Sequence, residues 1–206
     1  MSLQSGTRWK GWIAGLALAG LMGIGFVSSA RAADVKPWSA KTQWVSLRFG
    51  YAKSAAVGAA DGNVGYGFGY TRFRNSNWAF GAHAEINVLG RYGRARELEI
   101  PWTFEVTRHY KWNTPLRPYL GVGAGAYYHQ ISGTGSDATT VLPGGYLAWG
   151  LNAPVSDRGL LGFDVRANSV RATAQDNPVF GGAVTANKPQ SRVVHWSAKV
   201  GYSWAF

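Results

Sequence analysis

The chain has 206 residues, a formal net charge of +11, 28 glycines, 10 tryptophans and no cysteine. That length suits one domain or two small ones, and the missing cysteine excludes a disulfide framework and thiolate metal sites. The charge would suit a nucleic-acid partner, but the N-terminus reads as an export leader, and an exported chain does not ordinarily meet nucleic acid.

Arg8 and Lys10 precede the apolar run GWIAGLALAGLMGIGFV, and Ala30-Arg31-Ala32 places small residues at the two positions a signal peptidase reads. A charged start, a short apolar stretch and an A-x-A site predict a leader over residues 1–32, cut after Ala32. The run is short and Gly-rich for a transmembrane anchor. Beyond it, Gly, Arg, Glu or Asn interrupts every apolar stretch before it reaches the length of a membrane helix.

Period-2 alternation then takes over. Val45, Leu47, Phe49 and Tyr51 alternate with Ser46, Arg48 and Gly50, which predicts a first strand. In the second, Val64, Tyr66, Phe68 and Tyr70 lie opposite Gly65, Gly67, Gly69 and Thr71. After the RNSN turn, Trp78, Phe80, Ala82, Ala84, Ile86 and Val88 oppose Gly81, His83, Glu85 and Asn87. The fourth strand sets Leu98, Ile100, Trp102, Phe104 and Val106 against Glu97, Glu99, Thr103 and Glu105. Three glutamates on one face cannot line an ordinary dry core.

The fifth strand carries Leu120, Val122, Ala124, Ala126 and Tyr128 opposite Tyr119, Tyr127, His129 and a run of glycines. A sixth has the stripe Val141, Leu147, Trp149 and Leu151, with Pro143 and Gly144-Gly145 predicting a bulge or a late start. The seventh sets Leu161, Phe163, Val165 and Ala167 against Gly162, Asp164, Arg166 and Asn168. The eighth, residues 191–206, places Val194, Trp196, Ala198, Val200, Tyr202, Trp204 and Phe206 opposite His195, Ser197, Lys199, Gly201 and Ser203.

Connections near 74–77 and 154–159 are short, with 109–117 somewhat longer. Those near 52–61, 89–95, 132–139 and 172–190 are generally longer. Short turns at one end and longer loops at the other are the layout of an outer-membrane barrel with both termini in the periplasm. A soluble β-sandwich would also alternate, with Leu, Ile and Val on its buried face. Here the apolar faces carry aromatics near strand ends (Trp44, Tyr51, Trp78, Trp102, Trp204, Phe206), which fits interfacial belts, and the opposite faces are small enough for a narrow tube. The expectation is an all-β, eight-stranded antiparallel up-and-down transmembrane β-barrel over residues 44–206, preceded by a short periplasmic segment at 33–43.

In PYLGVGAGAYY (Pro118–Tyr128) and the terminal VGYSWAF, the chain resembles the small eight-stranded outer-membrane β-barrel family of Gram-negative bacteria, typified by the transmembrane domain of outer membrane protein A. The resemblance implies that Tyr202, Trp204 and Phe206 form the signal read by the barrel-assembly machinery. Nothing in this chain corresponds to the periplasmic peptidoglycan-binding domain of outer membrane protein A, so the resemblance does not extend to cell-wall anchoring.

By strand parity Arg48, His83, Glu85, Glu97, Glu99, Glu105, His129, Asp164, Arg166, His195 and Lys199 face the interior. Mixed charges in so narrow a space need partners or water, so the expectation is a network that plugs the barrel, for instance Glu99 or Glu105 with Arg48, Arg166 or Lys199. A narrow pore or small-molecule channel is the first alternative, and an adhesin acting through the 172–190 loop is the second. The histidines lack metal-ligand spacings, so no metal and no cofactor are expected. Among eight-stranded barrels the lipid A deacylases use a His-x-Ser-Asn motif. The comparable stretch VRANSVRATAQDNP has Ser169, but Ala167 and Val170 stand where histidine and asparagine would be required, so no enzyme is expected. Arg91, Arg94 and Arg96 cluster where lipopolysaccharide phosphates would lie, which makes that lipid and the surrounding outer membrane the expected partners of a monomer.

Overall fold

A computed structural model describes residues 36–55, 61–92, 95–132, 138–172 and 191–206. The expected leader, Arg94 and nearly all of the 172–190 loop lie outside these residues. The strands are β1 (Gln43–Ser54), β2 (Asn63–Phe73), β3 (Trp78–Tyr92), β4 (Ala95–His109), β5 (Arg117–Ser132), β6 (Ala138–Pro154), β7 (Gly159–Ala172) and β8 (Ser191–Ala205). Each pairs antiparallel with its chain neighbour, and β1 pairs with β8 from Trp44↔Ala205 to Ser54↔His195. Closure leaves no sheet edge to be satisfied by solvent.

The alternation sorts the side chains as a barrel requires. Leu47, Phe104, Leu147, Val122 and Trp204 are among the large apolar residues exposed on the outside, while the charges of the opposite faces are buried within. A closed sheet with its greasy face outward has no protein core to cover that face. Its solvent is a bilayer. No helix among the described residues is long and apolar enough to cross a membrane.

Three sequence expectations are corrected. Trp44 is not part of an outward belt; it is buried inside, where it packs with Phe73, Ala79, Leu160 and Ala205, against which Trp38 also lies. The indole Nε1 of Trp44 donates to the Pro37 carbonyl at 2.7 Å, and its ring meets those of Phe73 and His109. These aromatics fill the end that carries the termini. Second, β6 has neither a bulge nor a late start: its pairing with β5 runs in unbroken register from Arg117↔Asn152 to Ile131↔Ala138. Its pairing with β7 begins only at Gly144, so Pro143 sits just beyond that ladder, where a missing donor is tolerated.

Third, residues 89–95 are not a long loop. β3 and β4 continue to Tyr92 and from Ala95, with a bulge between Val88 and Gly90. The extra residue, Leu89, is fully buried, and Gly90 takes a φ of 147°, which side chains with a Cβ rarely adopt.

Candidate functional site

The lumen of an eight-stranded barrel has room for packed side chains and little else. Its centre is organised by Arg166 of β7, which is 1% exposed. The guanidinium lies 3.1 Å from Glu85 of β3, 3.1 Å from Glu105 of β4 and 2.8 Å from Asp164 two residues earlier on its own strand. Lys199 of β8 pairs with Glu85 and donates to Asn87 at 2.8 Å. Arg48 lines a small cavity together with Glu105 and Asp164. Glu85, Glu105 and Asp164 are thus balanced by Arg48, Arg166 and Lys199. A buried charge stripped of its partner is costly, so these side chains hold one another in place across five strands.

Tyrosines extend this web, and glycines make room for them. Tyr119 of β5 lies opposite Gly150 of β6, and Gly123 of β5 opposite Tyr146 of β6. A Cβ on Gly123 would come within 2.6 Å of the Tyr146 hydroxyl, and one on Gly144 within 2.6 Å of the Tyr127 ring. Rings folded over glycines keep the tube narrow and aim their hydroxyls inward. Tyr119 donates to Asp164 at 2.5 Å, Tyr146 to Glu105 at 2.8 Å and Tyr127 to Asn168 at 3.2 Å. The Arg166 guanidinium also sits 4.6 Å from the Tyr146 ring centroid, within cation–π range. Sequence reasoning left these tyrosines out of the network.

A second cluster lies nearer the end opposite the termini. Glu99 stands 3.1 Å from His129 Nε2 and 2.8 Å from His195 Nε2, while Glu97 is 3.8 Å from His129 Nδ1. Asn87 donates to Glu99 at 3.4 Å, joining this cluster to the first. Glu99 therefore meets two imidazoles rather than an arginine or lysine. Its charge and that of Glu97 are balanced only when both histidines carry a proton. His83 approaches Glu105 at 3.2 Å, on the central cluster's flank.

The remaining candidates lie apart. Arg91 and Arg96 are cross-strand partners beside the β3–β4 hairpin tip, and Arg96 is exposed. Tyr202 and Trp204 face outward, half exposed, and Phe206 exchanges backbone hydrogen bonds with Gln43. Ser169 has the outward parity of Ala167 and is paired with Gly145 and Val194, whereas His195 is paired with Asn168 and is buried on the lumen side.

Solved structures share this architecture. Neisserial surface protein A matches with a TM-score of 0.63 at 16% identity, over 80% of this chain and 97% of its own. The N-terminal barrel domain of Pseudomonas aeruginosa OprF matches with a TM-score of 0.54 at 12% identity, over 81% of this chain and 98% of that one. The chain has the fold of the small eight-stranded outer-membrane β-barrels. Ail, the attachment invasion locus protein of Yersinia pestis, aligns over 80% of this chain and 99% of its own, with a TM-score of 0.50 at 11% identity. No family model matches the chain, and no curated protein matches it.

Proposed function

We propose that this protein is an integral outer-membrane barrel that does not conduct, and that its role is structural or lies in contacts made at its surface. The observation that carries the reading is the ionic web of Glu85, Glu105, Asp164, Arg166 and Lys199, which crosses the lumen from β3 and β4 to β7 and β8. The cavity beside it measures about 30 Å³, enough for about two waters at 10–15 Å³ each but not for a hydrated-ion path. Trp44, Phe73 and His109 close the terminus-bearing end below it.

Reconstitution into planar bilayers checks this. The expected trace is flat, with no unitary steps; reproducible steps of one size would replace the sealed barrel with a narrow pore. Membrane residence is read separately by heat-modifiability: unboiled protein is expected to migrate faster than boiled protein on a denaturing gel.

The same reading puts Arg91, Arg94 and Arg96 on the rim facing outward from the cell, at the level of lipopolysaccharide phosphates. Backbone pairing supports it for Arg91 and Arg96, which lie side by side next to the hairpin tip. Glutamine at all three positions should lower lipopolysaccharide co-purification severalfold, and unchanged lipid content would remove these residues from the surface-interaction role.

A further inference from the structure

The other end of the barrel has its own charge pattern. Along the outward stripe of β2, Tyr66, Phe68 and Tyr70 give way to Arg72, followed by Arg74 in the turn to β3. On β4, Trp102, Phe104 and Val106 give way to Arg108, whose guanidinium lies 5.6 Å from the Trp78 ring centroid. Aromatic residues followed by cations in one stripe mark the level where acyl chains end and headgroups begin. Outside the lumen, the acid this end presents among the described residues is Asp157, in the separate turn between β6 and β7.

At that level Lys41, Arg72, Phe73, Arg74 and Phe80 surround an open concavity of about 360 Å³. Arg72 and Phe80 are cross-strand partners, so the pocket has cations beside an exposed aromatic wall. The charged groups of Lys41, Arg72 and Arg74 make no ion pair with any described residue. Lys41 is also held in the left-handed region, at a φ of 72°, with its N–H bonded to the Phe73 carbonyl at 2.8 Å. A lysine rarely adopts that conformation, and here the contact with Phe73 fixes where the residue stands.

We propose that Lys41, Arg72 and Arg74 bind the phosphate of an anionic phospholipid from the leaflet facing the chain termini, with its acyl chains running up past Phe80 and Tyr70. The inference rests on the membrane reading above. Guanidinium forks and an ammonium suit a phosphodiester. The apolar wall suits the glycerol and first methylenes, which a free phosphate lacks. The site is distinct from the arginines at the opposite rim.

The test is native mass spectrometry of the folded barrel in detergent, offered phosphatidylglycerol or phosphatidylcholine. The wild type is expected to retain phosphatidylglycerol at least roughly tenfold better. Lys41→Gln, Arg72→Gln and Arg74→Gln together should bring it to the phosphatidylcholine level, and an equal concentration of inorganic phosphate should not compete. Equal retention of the two lipids, a preference untouched by the triple variant, or full competition by inorganic phosphate would each overturn the proposal. Should the triple variant not fold, Arg74→Gln alone, in an exposed turn, must lower retention severalfold. The heat shift of the same wild-type sample separates the two readings: its loss overturns the membrane barrel, whereas its presence without lipid preference overturns only the lipid site.

Discussion

Replacing Arg166 by methionine is expected to cost the folded barrel about 3–5 kcal/mol, the range found when one member of a buried ionic cluster is removed. The cost comes from what stays behind. Glu85, Glu105 and Asp164 remain buried with Lys199 and Arg48 as the lysine and arginine beside them, while His83 stays 3.2 Å from Glu105, and Glu105 and Asp164 keep the hydroxyls of Tyr146 and Tyr119 at 2.8 and 2.5 Å. Arg166→Lys should recover only part of the loss, because one ammonium cannot reproduce a planar fork that meets carboxylates from three strands. Adding Glu105→Gln to Arg166→Met should return part of the stability by removing one stranded charge. Urea titration in lipid vesicles, read by the gel shift of unboiled samples, gives the midpoints. An unchanged midpoint for Arg166→Met would mean that water, not arginine, neutralises the carboxylates.

The facing of the lumen was legible because a strand has only two faces. Once Leu47 and Phe49 pointed out, Ser46 and Arg48 had to point in, and closure carried the argument round the barrel. The same parity placed Trp44 inside. The expectation of an aromatic belt overrode it, although a tryptophan at a strand end can equally well close the tube. Which charges meet was not legible. Glu99 lies beside His195, from the other end of the chain, through the stagger of a closed sheet, and no single strand's sequence reports that. The hairpin at 89–95 looked like a loop because RYGRARE is polar. Polarity on both faces is also what a strand shows where it runs beyond a bilayer, with water on either side. The tyrosines left a usable signal: Tyr119 and Tyr146 each face a glycine across the β5–β6 ladder.

Gly125→Ala is expected to be the most damaging single-methyl insertion in β5, costing about 3 kcal/mol, the upper end for overpacking. A Cβ there would overlap the Trp102 carbonyl and lie 2.7 Å from the Thr103 Cα, both backbone atoms of β4. Nothing can rotate away. The two strands would have to separate, at the expense of their ladder, beside the Thr103 and Glu105 that face the lumen. Gly123→Ala, one lumen position away, meets the tip of the Tyr146 ring instead. That ring can swing, at the cost of its bond to Glu105, so the expected loss is smaller, about 1–2 kcal/mol. Tyr146→Ala separates the cases: it should suppress the effect of Gly123→Ala and leave that of Gly125→Ala intact. The readout is again the urea midpoint of each variant and of the two double variants. If Tyr146→Ala rescued both glycine variants equally, the crowding at Gly125 would be a side-chain clash, and the close approach of β4 to β5 would not be what demands glycine at that position.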